Sequence, residues 1–149
     1  MYDEITKPHH YGWHPSGVEA KEVTDDLPYW LGDAITCIWR RNHKGQPIDD
    51  RLKAIARLNE ATPERLEALK SAFVNQRSFA DGIIKTLEKI NRSPDPLMFD
   101  VRVLIVSALL GINYKAWQQI IDWLKADLQA ELDELTANEI RTPTIYEEQ

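Results

Sequence analysis

Cysteine is nearly absent from this 149-residue chain: Cys37 stands alone, so no internal disulfide can form and no oxidising compartment is needed. Long apolar runs are missing too, and no stretch approaches the roughly 18 residues that a membrane helix requires. The first residues, with Asp3, Glu4, Lys7, Pro8, His9 and His10, lack a basic region leading into an apolar segment, the pattern of a secretory signal. A cytoplasmic location is the simplest expectation. Positive charge is in deficit, with a net charge of −6. Duplex DNA and anionic lipid are therefore not expected partners, because neutralising phosphates over a large area needs a broad basic surface. Neither Gly-x-x-x-x-Gly-Lys-[Ser/Thr] nor Gly-x-Gly-x-x-Gly occurs, which removes the P-loop and the dinucleotide fold. Internal repeats, low-complexity tracts and convincing strand-length alternation are also missing.

What is present suits one folded unit. Hydrophobic residues make up 43% of a chain within single-domain length, enough to bury a core. The first 28 residues carry Pro8, Pro15, Pro28, Gly12 and Gly17 together with Tyr11 and Trp13, and show no helical or strand period. They are expected to form an irregular aromatic arm. After Pro28, Leu31, Ala34, Ile35, Ile38 and Trp39 recur at helical spacing up to a breaker at 42–47 that contains Gly45.

A second helix is expected from an N-cap at Asp49, with Leu52, Ile55, Ala56 and Asn59 on its inner side. Thr62-Pro63 opens a third, with Leu66, Leu69 and Phe73 as its buried stripe, since proline at the first helical position gives up no needed N–H. Ser78-Phe79-Ala80-Asp81 has the form of a capping box for a fourth, carrying Ile83, Ile84, Leu87 and Ile90. Asp95-Pro96 starts a fifth. Residues 101–110, closed by Gly111, are apolar almost all round and read as the central helix. A last helix from about Asn113 carries Trp117, Ile121, Leu124, Leu128 and Leu135, with Glu131 interrupting the seam. This seam suits bundle packing or a partner subunit, so a homo-oligomer through the C-terminal helix is expected. The reading is all-α: an irregular arm, then a compact bundle of about six helices. Residues 1–60 hold arm and helical hairpin, 61–135 the bundle packed on them in the same domain, and 136–149 a loosely held tail.

Charge is not spread evenly. Over residues 40–57, Arg40, Arg41, Lys44, Arg51, Lys53 and Arg57 face only Asp49 and Asp50, a local +4 within the −6 chain. A basic spot on an acidic body points to a small anionic ligand. Asp50, Lys53 and Arg57 at i, i+3 and i+7 share one helix face, and Arg40 and Lys44 lie on the preceding helix end and loop. Arginine brings a planar fork to phosphate and lysine a mobile charge, so the group reads as a phosphate clamp. The alternative is a solvated face in which Asp50 pairs with Lys53 and Arg57 with Glu60, contacts worth only ~0.3–0.5 kcal/mol each. His10 is a candidate phosphate donor or proton shuttle, with Tyr11 or Trp13 for base stacking. His9, His10 and His14 lack the fixed spacing of a zinc set, so no zinc site is expected.

Taken in order, His10-Tyr11, Gly17-Val18-Glu19, Gly32-Asp33-Ala34-Ile35, Arg40, Lys44-Gly45 and Asp50-x-x-Lys53-Ala54 resemble the motifs of a small tailed-phage protein family. That family is mostly of unknown function and includes the phage nucleotide kinase that lacks a P-loop. The likeness covers about residues 7–58. It implies a nucleotide-handling phage protein, with a (deoxy)nucleoside monophosphate kinase as the enzymatic form. His10 and Arg40 would be catalytic, and Tyr11, Arg40, Lys44, Lys53 and Arg57 would hold the ligand. Glu19, Asp33 and Asp50 would contact metal or sugar, and Mg²⁺ would be the cofactor of a kinase.

The chain also departs from the pattern. Asp33, Thr36 and Cys37 stand where the family has Asn, Lys and Tyr, and Arg57 where it has a further Tyr. Binding tolerates the loss of such a lysine better than transition-state stabilisation does. Non-catalytic sequestration of a nucleotide signal, an anti-defence role, is therefore the alternative, and a helical oligomer without ligand is a third.

Overall fold

The computed structural model describes residues 27–43 and 45–141, with side chains as far as Asn138. Among these residues there are six helices and no strand: α1 (Tyr29–Arg40), α2 (Pro47–Leu58), α3 (Pro63–Asn75), α4 (Arg77–Ile90), α5 (Pro96–Leu109) and α6 (Tyr114–Arg141). The all-α reading holds.

Local signals account for several of the boundaries. The Thr62 hydroxyl accepts from the Arg65 N–H at 3.1 Å and the Asp95 carboxylate from the Leu97 N–H at 3.0 Å, each followed by proline at N1. Asn113 Oδ1 caps α6 by accepting from the Ala116 N–H at 2.9 Å. At the end of α5, Gly111 takes φ 87°, and the Ile112 N–H reaches the Ser107 carbonyl at 3.0 Å while the Gly111 N–H reaches Ala108 at 3.2 Å. This is a Schellman closure, which needs the left-handed conformation that glycine adopts without strain.

Three local expectations are corrected. α2 starts at Pro47 behind Gln46, so Asp49 is not the cap but lies with Asp50 in the first turn, where the helix dipole favours acids. α4 begins at Arg77, which places Ser78 inside the helix with no cap bond. α6 continues past Leu135 to Arg141.

The core forms around α5, which packs against α1, α3, α4 and α6. The α1 stripe of Leu31, Ala34, Ile35, Ile38 and Trp39 is wholly buried, as its spacing predicted. Trp117 of α6 is buried, donates its indole N–H to the Leu104 carbonyl at 3.0 Å, and meets Trp30 edge-on at 6.0 Å between ring centres. Ile121, Leu124 and Leu128 are buried beside it, so these seam positions are spent inside the chain, while Leu135 is half-buried. Trp123 is the outward tryptophan of this helix, 57% exposed.

α2 overturns its predicted face. Its buried residues are Asp50, Arg51, Ala54 and Leu58, while Leu52 and Ala56 are exposed. The cause is ionic. Arg41, at the end of α1, donates to both Asp95 oxygens and to Glu131, with Nε–Oε1 at 2.8 Å. Arg51 reaches the same Glu131 Oε1 at 2.7 Å and also bonds Asn42 at 2.7 Å. Glu131, which breaks the apolar seam of α6, is thus the shared acceptor of two buried arginines and ties α1, α2 and α6 together. Burial alone lowers the pKa of Arg41, yet the bonds to Asp95 and Glu131 outweigh it and the net shift is upward.

Candidate functional site

α1 and α2 run antiparallel, with Tyr29 beside Arg57 at one end of the pair and Arg40 beside Asp50 at the other. Between them lies a cleft of about 510 Å³ lined by Tyr29, Asp33, Cys37, Arg40, Lys53, Ala56 and Arg57. On α1 the lining residues follow each other at i, i+4, i+8 and i+11, the side of the helix next to its apolar stripe. On α2 they follow at i, i+3 and i+4. Small hollows elsewhere, about 230 Å³ beside Arg41 and 260 Å³ between α4 and α5, have roughly half that volume.

The two ends of the cleft differ. At the Tyr29 end, Arg57 donates to Asp33 at 2.8 Å, to Glu60 at 2.8 Å and to the Tyr29 hydroxyl at 3.2 Å, and its guanidinium lies 5.0 Å from the Tyr29 ring centre. Those carboxylate bonds, Glu60 first and Asp33 second, raise the Arg57 pKa, and Glu60 is lowered in return. The end is an aromatic and cationic plate. At the other end, Arg40 Nε stands 3.5 Å from Asp50 Oδ1. Asp50 is fully buried, and neither of its oxygens nor Arg40 Nε has a hydrogen-bond partner. Such a contact is close enough for charge attraction but too loose for a formed bond.

Cys37 is buried in the cleft wall. Burial first, and then the negative charges of Asp33 and Asp50, push its thiol up to about 11, so it is a neutral, poorly nucleophilic thiol at pH 7. Lys53 stands exposed between the two ends and is in none of the ion pairs among the described residues.

Of the predicted site residues, Arg40, Lys53, Arg57 and Asp33 come together in one cleft. Asp50 does not line it: packing turns this carboxylate inward beneath Arg40, so neither a ligand-facing acid nor an Asp50–Lys53 pair is found. The Arg57–Glu60 pair, the surface alternative for that residue, does form. Arg41 and Arg51, part of the local positive balance, serve the internal network instead. His10, Tyr11, Glu19 and Lys44, with His9, Trp13 and His14, lie outside the described residues. Sequence reasoning missed Tyr29. The signal was there, since Tyr29 precedes Asp33 by four residues and so shares its helix face.

Among the described residues no cluster of three or more His, Cys, Asp or Glu side chains is arranged to hold a metal ion, and no helix is long and apolar enough to cross a membrane. No family model matches this chain, and no curated protein and no solved structure matches it.

Proposed function

We propose that the chain binds a small phosphate-bearing ligand, a nucleotide in class, in the α1–α2 cleft, as a phage-type protein that holds its ligand without turning it over. The observation that carries this is the gathering of Arg40, Lys53 and Arg57 on one concave surface of an otherwise acidic chain. Arg40 lines the cleft with part of its side chain exposed while its Nε is buried against Asp50, and Lys53 is exposed, so the guanidinium and the ammonium can both donate to phosphate oxygens. The Arg57 guanidinium over Tyr29 offers a flat face against which a base can stack. Residence in the cytoplasm, where nucleotide pools lie, goes with this reading.

Retention without turnover is favoured by how the acids are used. Asp33 is bonded to Arg57 and Asp50 sits under Arg40, so each carboxylate already has a cation against it in place of Mg²⁺. Cys37, a neutral thiol, is neither base nor nucleophile at pH 7. Sequestration of a nucleotide signal fits this chemistry better than monophosphate kinase activity.

A thermal-shift and calorimetric series over mononucleotides, dinucleotides and cyclic nucleotides tests it. A ligand at 100 times its dissociation constant stabilises by ~2.7 kcal/mol. Lys53→Ala should weaken binding about tenfold with little change in the unliganded melting temperature. If no phosphate compound stabilises the protein, the cleft is not a phosphate site. Recovery of the unmodified ligand after denaturation supports sequestration, whereas phosphoryl transfer from ATP with Mg²⁺ to any deoxynucleoside monophosphate replaces it with the kinase reading.

A further inference from the structure

α5 should have a polar outer side and does not. Its inner positions, among them Leu97, Val101, Leu104 and Ala108, are buried, and a helix with one buried face normally carries polar residues opposite. Here the side away from those positions reads Phe99, Val103, Val106 and Leu110, at successive spacings of four, three and four that keep all of them in line, with Val103 also packing in part against the core. Phe99 is 62% exposed and Leu110 82%, with the two valines half-buried between them. On α4, Ile84 is 49% exposed and joins Val106 in lining the hollow between the two helices. Single exposed apolar residues need no explanation, but a continuous stripe marks an interaction surface.

Two features identify the occupant. The spacing is palindromic about the midpoint between Val103 and Val106. An antiparallel second copy therefore sets Phe99 against Leu110 and Val103 against Val106, bulky ends to bulky ends and narrow centres to narrow centres. The rim is also self-complementary in charge. Glu88 and Arg102 border the α4 side of the stripe. A two-fold axis crossing α5 at its midpoint brings like edge to like edge, so Arg102 of each copy approaches Glu88 of the other.

We propose that the outer stripe of α5, with the flank of α4, is a two-fold homodimer interface in which the α5 helices pair antiparallel. It replaces the C-terminal helix as the oligomer surface and stands apart from the α1–α2 cleft. The stripe is roughly 16 Å long, small beside the ~800 Å² per partner of a standard interface, so the dimer should dissociate on dilution.

Cysteine cross-linking of the full chain tests both dimer and register, since Cys37 is buried and does not compete. A mixture of Phe99→Cys and Leu110→Cys chains should form a mixed disulfide under mild oxidation, while neither chain alone does so, because like positions lie roughly 16 Å apart and a disulfide tolerates no more than ~7 Å between Cα atoms. In sedimentation, Glu88→Arg and Arg102→Glu should each shift the protein towards monomer, and combining them should restore dimer. A monomeric mass at all concentrations with no mixed disulfide overturns the proposal, and so does a disulfide between like positions. In the first case another occupant covers the stripe, and in the second the helices pair in a different register.

Discussion

Arg40 faces the α1–α2 cleft with its Nε 3.5 Å from a carboxylate that nothing else bonds, whereas Arg41 is enclosed by Asp95, Glu131 and the Ile38 carbonyl, with hydrogen bonds on all three of its nitrogens. Adjacent residues differ by about 100° around a helix. That rotation sends one arginine to a concave surface and the other into the protein. Saturated bonding marks a side chain whose work is to hold helices together. Unused bonding capacity at the mouth of a cleft marks one that can still take a ligand. Charge density along 40–57 cannot distinguish the two, because it counts cations without their partners.

The largest expected effect comes from the saturated side. Arg41→Met should destabilise by about 3–5 kcal/mol in urea denaturation, because Asp95 and Glu131 lose a buried partner. A loss below about 1 kcal/mol would mean that the network is dispensable and the contrast with Arg40 mistaken.

Acid titration examines the same network. Burial pushes the Glu131 pKa up, but the bonds and charge of Arg41 and Arg51 outweigh it, and the net shift is downward. A carboxylate lowered on folding contributes stability that is full above its unfolded pKa and is lost as pH falls through the folded one. Stability should thus decline as pH drops below the ordinary glutamate value of 4.5, and Glu131→Gln should flatten that decline. Unchanged steepness in the variant would place the acid sensitivity elsewhere.

On the unsaturated side, Asp50→Asn should leave stability within about 1 kcal/mol of the parent, since no formed hydrogen bond is lost and a buried charge is removed. Its effect should appear in ligand binding, where Arg40 gains freedom. Destabilisation as large as that of Arg41→Met would show Asp50 to be a second structural tie.

Smallest is the change at Asp100, whose pKa is raised by burial and then by the charge of Asp127. With the folded pKa raised, the ionised form weakens the fold at neutral pH, and the penalty disappears as pH falls through the folded value. Asp100→Asn should therefore stabilise slightly at pH 7, by less than about 0.5 kcal/mol. No gain at pH 7 would show that Asp127 does not oppose it in solution.

Much of the helical framework was legible in the sequence because its signals are local. Thr62-Pro63 and Asp95-Pro96 act within one turn, Gly111 supplies a backbone conformation, and the α1 stripe repeats at the helical period. The errors fall where a distant residue decides. Arg51 is buried on α2 where Glu131 meets it, and packing turns Asp50 inward beneath Arg40, against the apolar pattern that favoured Leu52 and Ala56. α5 looked buried on every side, yet no other described helix covers Phe99 or Leu110.

By itself, the sequence determined an all-helical chain, several of its caps and breaks, and a basic segment rich in arginine, all properties of neighbouring residues and helical period. Only the tertiary structure decided which arginines are structural and which face a cleft, why Glu131 interrupts an apolar seam, and which helix is left with an apolar outer face. Those outcomes depend on what each side chain meets across the fold, and the pairing of remote helices is not written in local spacing.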